Sequence, residues 1–178
     1  MRTTEIITIL ILLAGALPAQ AVLVFDSGYN IFDESYGQES EVYVENDAIL
    51  DVIGGDIDVY LMSTDIAQVN LFGGNINTLW TREDSVAKIY GGQMNMLQYE
   101  GSSLIYLYAY DVAYHPTGGG NWGNSPWVEG VYLQSNAHFD FMVPGSEVLT
   151  FSYIQVVPEP ATMLLLGLGG LLATIKKR

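Results

Sequence analysis

Three groups of side chains in this sequence are of a type and spacing that could do chemistry. The first is Gly54-Gly55-Asp56-Ile57-Asp58, a glycine pair followed by two carboxylates one residue apart. Hard carboxylate oxygens suit calcium, and glycine-rich calcium turns of parallel β-helices recur every nine residues. Here the segment recurs at about twice that interval, and the next copies carry Asn75 and Asn77, then Gln93 and Asn95. Polar caps on solvent-facing corners are therefore the simpler reading, with calcium only weakly supported. The second group, Asp51, Asp56 and Asp58, could supply an acid/base pair for cleaving a polysaccharide. Those positions turn to Asn, Gln or Lys one repeat later, so no catalytic residue is assigned. The third is Tyr114, Trp122 and Trp127, set among glycine and asparagine. Aromatic faces stack on sugar rings and amides supply paired donors and acceptors, which makes these three the candidate glycan-binding residues. The competing reading is that the rings cover an open end of the fold, where strand edges would otherwise lie bare.

Other chemistries lack their parts. His115 and His138 are the only histidines and show no metal-ligand spacing. There is no cysteine, hence no disulfide and no thiolate site. No nucleophile elbow and no phosphate loop is present. No metal and no cofactor is expected.

The elements that must position these residues follow from an internal repeat. Gly-Gly occurs at Gly54-Gly55, Gly73-Gly74 and Gly91-Gly92, at intervals of 19 and 18 residues. Aligned on the first glycine, the second position before it holds Val52, Leu71 and Ile89, the fourth Leu50, Val69 and Ala87, and the sixth Ala48, Ala67 and Ser85. Counting another 18 residues reaches Ala109, where Leu107, Ile105 and Ser103 fill the same offsets without the glycine pair. A period of two is a strand with one face turned inward. After the glycines, Ile57, Ile76 and Met94 form one apolar column, and Tyr60, Leu79 and Leu97 are read as another. Identical columns at a fixed period predict a β-solenoid, with Val52, Leu71, Ile89 and Leu107 stacked inside at about 4.8 Å. The alternative, a β-sandwich, gives no reason for one residue type to recur at one offset. Glu41 to Glu45 is expected to be the first solenoid strand, and Val24 to Ser35 an acidic lead-in. Beyond Asp111 the pattern breaks into a loop running to Trp127. Alternation resumes at Val131 and Leu133 and at Phe139 and Phe141, and Val148 to Val156 reads as a final strand.

The body, residues 22–157, has the size of one domain. Its only basic residues are Arg82 and Lys88. The 20 acidic residues of the chain, less Glu5 and Glu159, leave 18 in the body, for a net charge of −16. Such a field repels nucleic acid and anionic lipid.

The two ends read as addresses. Arg2, an apolar stretch from Ile6 to Leu17, and the small-x-small site at Ala19 and Ala21 make residues 1–21 a secretory signal peptide for the Sec translocon, cut after Ala21. At the other end, Val157-Pro158-Glu159-Pro160 precedes an uncharged run from Ala161 to Ile175 and the basic tail Lys176-Lys177-Arg178. Fifteen helical residues reach about 22 Å, short of a hydrocarbon core of about 30 Å, and the cations favour the cytoplasmic side. This arrangement resembles the PEP-CTERM sorting signal of Gram-negative bacteria, over roughly the last twenty residues. The resemblance implies a transient inner-membrane anchor on a transmembrane helix, cleaved near Pro158-Glu159-Pro160 by an exosortase-type membrane protease. It also implies a destination at the cell surface or extracellular matrix, through a sorting system linked to polysaccharide export.

The sequence thus predicts an all-β, single-domain β-solenoid with coils of 18–19 residues, between a signal helix and a sorting signal at 158–178. The function expected is a non-enzymatic structural or surface component of the envelope, associated with exopolysaccharide. A carbohydrate-binding module is the second reading and a polysaccharide-processing enzyme the third.

Overall fold

The computed structural model describes residues 22–117, 122–144 and 153–157. The predicted signal helix, the Pro-Glu-Pro box, the apolar run and the basic tail lie outside the described residues, as does most of the expected strand from Val148. Among the described residues no helix is long and apolar enough to cross a membrane.

The body is a β-solenoid of five regular coils, each with one strand in each of two sheets. The first coil holds β1 (Val22–Phe25) and β2 (Tyr29–Phe32), the second β3 (Gln38–Val44) and β4 (Ile49–Val52). The third holds β5 (Asp56–Ser63) and β6 (Gln68–Leu71), the fourth β7 (Asn75–Thr81) and β8 (Val86–Ile89), and the fifth β9 (Gln93–Tyr99) and β10 (Leu104–Leu107). Successive coils pair in parallel, so that Val52 faces Leu71, Leu71 faces Ile89 and Ile89 faces Leu107. All four are fully buried, as the aligned columns predict.

Two corners per coil explain the repeat, and the two glycines of each pair serve different needs. Gly55, Gly74 and Gly92 have φ of 82°, 83° and 89°, a region that costs little only for glycine. Gly73 and Gly91 have no such φ, but a Cβ on either would sit 2.6 Å from a carbonyl oxygen of the coil below, that of Ile53 or Phe72. The opposite corner is built on Gly28, Asn46, Asp65, Glu83 and Gly101, all at positive φ. Here the acidic side chains offset the strain: Asp65 accepts from the backbone N–H of Asn46 at 3.0 Å, and Glu83 from that of Asp65 at 3.2 Å. Part of the body's acidity therefore satisfies backbone donors between coils. Inside this narrow corner the small column continues, with Ser63 and Ser85 joined at 3.1 Å and Thr81 and Ser103 at 3.0 Å, all buried.

Three expectations are corrected. Val24 to Ser35 is no lead-in: β1 and β2 make a complete coil ahead of Glu41–Glu45. It escaped the repeat because its corner has a 3₁₀ turn, Glu34–Tyr36, and only one glycine, Gly37 at φ 74°. Tyr60 is not in the inward column; Leu61 is, paired with Leu79, which pairs with Leu97. The extra residue of the 19-residue interval is absorbed as a register shift between Ile57 and Leu61, a bulge that turns Tyr60 outward. The segment after Asp111 is a strand before it is a loop, since β11 (Ala109–His115) pairs antiparallel with β12 (Trp127–Tyr132). A register shift between Tyr110 and Ala113, with Asp111 at φ 52°, hides its alternation.

From β12 the chain folds back through β13 (His138–Met142), which lies antiparallel to β12 and parallel to β9. With β14 (Ile154–Val156), parallel to β10, it occupies the place of a sixth coil. The larger sheet runs β1-β3-β5-β7-β9-β13-β12-β11, the smaller β14-β10-β8-β6-β4-β2.

Tyr108 belongs to an aromatic ladder at the glycine corner, stacked on Tyr90 at 4.1 Å, with Tyr90 on Phe72 at 4.8 Å. Burial, then the Tyr108 hydroxyl, push the Tyr90 phenol up to about 12. Because the folded state holds that proton more tightly than the unfolded chain, its stabilising effect is complete below pH 10 and lost as pH rises towards 12. A denaturation series across that window should show stability falling in the wild type and falling less in Tyr90→Phe. Identical slopes would show that Tyr90 does not contribute.

Candidate functional site

The hairpin extension β11–β12–β13 carries two of the three candidate glycan-binding residues, and it divides them. His115 faces Trp127 across the first hairpin, and Tyr114 faces Val128. Adjacent strand residues point to opposite faces. Tyr114 packs against the core with fully buried Val128. Trp127 lies on the outer face, its indole stacked on the His115 imidazole at 4.0 Å and 11°. Trp122 sits in the short turn before β12, half-buried. The indole nitrogens of Trp122 and Trp127 are both buried without a hydrogen-bond partner among the described residues.

Trp127 borders a recess of about 470 Å³ on the outer face. Its lining includes Glu129, Asp140, His138 and Asp111. Glu129 accepts from His115 Nε2 at 2.9 Å, which fixes the imidazole beneath the indole. Sequence reading assigned none of these four lining residues. Their signal, an apolar/polar alternation from Trp127 to Val131 and from His138 to Met142, was present but gave no partner strand.

The outer face of the same sheet holds a second aromatic group that sequence reading missed. Tyr43 and Tyr60 lie edge to face at 5.5 Å, and Tyr60 and Trp80 at 6.4 Å. The Tyr43 and Tyr60 hydroxyls and the Glu41 carboxylate form a triangle, with Glu41 3.1 and 2.9 Å from the two hydroxyls; one phenol donates to the other, which donates to Glu41. The Tyr43 hydroxyl, then burial, then Glu41 raise the Tyr60 phenol well above its ordinary value. Arg82 lies 5.2 Å over Trp80 and pairs with Glu100 at 2.9 Å. The bulge in β5 concealed this group, because it moves Tyr60 out of the column that spacing alone assigns.

The carboxylates weighed for catalysis do not converge. Asp51 lies on β4 in the smaller sheet and accepts from Asn70 at 2.6 Å. Asp56 and Asp58 lie on β5 in the larger one, where Asn75 donates to Asp56 at 2.7 Å and Gln38 to Asp58 at 2.6 Å. They border a shallow groove of about 320 Å³ floored by Ile57, Ile76 and Met94. Amides stacked one coil apart thus satisfy these acids. Among the described residues no group of three or more acidic or histidine side chains is placed to hold a metal ion.

At the C-terminal end, the Val157 N–H donates to the Leu107 carbonyl at 2.9 Å. The folded ladder therefore runs up to the residue before Pro158. Residues 156–178 match the family model described as the PEP-CTERM protein-sorting motif. No curated protein and no solved structure matches the chain.

Proposed function

We propose that this protein, which carries a PEP-CTERM sorting signal and is thereby marked for export and for handling by an exosortase, is a non-enzymatic structural component of the cell envelope or extracellular matrix, associated with exopolysaccharide. The observation that carries the reading is the junction at Val156. The sorting motif begins at the last residue of β14, so a complete solenoid is joined to its address without a spacer. A rod of stacked coils is suited to a structural role: each coil contacts only its neighbours, and the inner columns form one continuous core. The acidic body is matched to neutral or cationic surfaces rather than to nucleic acid.

The test is fractionation of the native host with an antibody against the body. The protein should be found outside the cytoplasm and should co-purify with the exopolysaccharide fraction. In a strain unable to make that polymer it should shift to the medium. A distribution unchanged by loss of the polymer would remove the exopolysaccharide link.

A second reading, a carbohydrate-binding module, is favoured by the Trp127 recess, where an aromatic ring stands beside hydrogen-bonding side chains on a rigid hairpin.

A further inference from the structure

Strand register sets one line across the larger sheet from Thr78 to His115, and the Tyr43–Tyr60–Trp80 group lies beside its far end. Thr78 faces Met96, Met96 faces Met142, Met142 faces Trp127, and Trp127 faces His115. Beside the other end Tyr60 faces Glu41, and Trp80 lies two residues beyond Thr78 on β7, where it pairs with Met62 and Gln98. Residues directly opposite in register share a face. Tyr60, Trp80, Met96, Met142, Trp127 and His115 are all partly exposed, whereas Leu97, Phe141 and Val128, one position on, are fully buried. From β3 to β11 the line and the group beside it cross six strand intervals, about 29 Å at about 4.8 Å each.

We propose that this line is a binding track for an extended, uncharged polysaccharide chain lying across the strands of the larger sheet. The proposal rests on the glycan-associated reading above and adds where the chain lies and what charge it carries. Charge selects the occupant. Three carboxylates along the track are already engaged: Glu41 by the Tyr43–Tyr60 hydroxyl pair, Glu129 by His115, and Glu100 by Arg82. Asp111 and Asp140 line only the recess at the Trp127 end, so a polycation would meet free carboxylates at one end of the track and not along it. The body's net charge of −16 repels a polyanion, and equally a second copy of itself. A peptide added as a strand needs an open backbone edge, and the strands beneath the track from β3 to β12 are paired on both sides. Aromatic rings and thioethers on a paired sheet, without a closed pocket, suit the apolar faces of successive sugar rings.

The experiment uses the mature protein as purified from its host envelope. Binding is measured by calorimetry to linear neutral hexasaccharides of the cello-, laminari- and malto-series, with their disaccharides, and to oligogalacturonate and chitosan hexamers as charged probes. At least one neutral hexasaccharide should bind at least about tenfold more tightly than its disaccharide, because only the longer chain spans several rings. Trp80→Ala and Trp127→Ala should each weaken that binding about three- to tenfold, the worth of one aromatic contact. Trp80→Phe, which keeps a ring and a similar volume, should retain most of it, and thermal melts verify that each variant is folded. Failure of every neutral hexasaccharide to bind, or preference for a charged probe, would overturn the track. Neutral binding that neither tryptophan substitution weakens would also overturn it, while leaving glycan association at another surface. The exopolysaccharide fractionation decides that broader reading separately.

Discussion

Replacing Gly74 by valine should destabilise the body by about 3 kcal/mol, at the upper end of what a strained backbone position costs. Two effects combine there. The φ of 83° is closed to a β-branched residue, and a Cβ would lie 2.8 Å from the carbonyl oxygen of Gly55. That oxygen cannot yield, because it accepts from the Asn75 N–H at 3.0 Å and so sets the spacing of adjacent coils. Gly73→Val should cost a similar amount through contact alone, since a Cβ there meets the Ile53 carbonyl oxygen at 2.6 Å. Asn70→Ala is the control: it removes the half-buried hydrogen bonds to Asp51 and from Gln68 and should cost about 0.5–1.5 kcal/mol. Thermal melts of the three variants should separate the glycines from the control by roughly 5 °C or more. Equal, small shifts would mean that the corners can relax and that glycine is not required.

Changing Pro158-Glu159-Pro160 to three alanines should abolish maturation. Proline removes a helix donor, clashes with the preceding turn and disfavours helix for the residue before it, whereas alanine is the best helix former. On the sequence expectation of a helix from Ala161 to Ile175, the substitution would let it extend backwards and bring a segment of about 22 Å closer to the thickness of a bilayer core, about 30 Å. It also takes away the two prolines, which disfavour helix and so favour the extended form a protease binds. Full-length precursor should then accumulate in the membrane fraction. The wild-type product should lack Lys176, Lys177 and Arg178 and should still contain Val157, whose N–H is held by the last coil. Mass measurement of both proteins decides it. A wild type that keeps its basic tail, with a box variant that behaves identically, would show the tail to be a plain anchor.

The solenoid was legible in the sequence wherever a coil repeats its neighbours without insertion. Val52, Leu71, Ile89 and Leu107 stack as their offsets require because side-chain alternation and a fixed coil length act together. Legibility ended where one residue was added or a corner changed its means. The bulge in β5 displaced Tyr60 from the inward column and hid its partnership with Tyr43. The first coil went unseen because a 3₁₀ turn stands where its first glycine would be. The second corner was missed because Asn46, Asp65 and Glu83 reach positive φ with a side-chain hydrogen bond instead of a missing Cβ, and their types read as ordinary surface acidity. The candidate site suffered most. Tyr114 and Trp127 looked alike in composition, yet the alternation of a strand sends one into the core and the other outward. The partners of Trp127, namely His115, Glu129 and Met142, come from three strands whose pairing no local pattern announces.

The bulge in β5 has a consequence for descent. It shows that a coil can gain a residue at one outward point while both corners and the inward columns stay in register. A coil made by duplicating its neighbour arrives with the same two corners and the same inner column, so it has a matching surface above and below from its first generation. The small errors of length that accompany duplication can be set aside in a bulge, away from the core. A lineage can thus lengthen or shorten this rod in whole-coil steps, while the hairpin at one end and the sorting address beyond it remain unchanged.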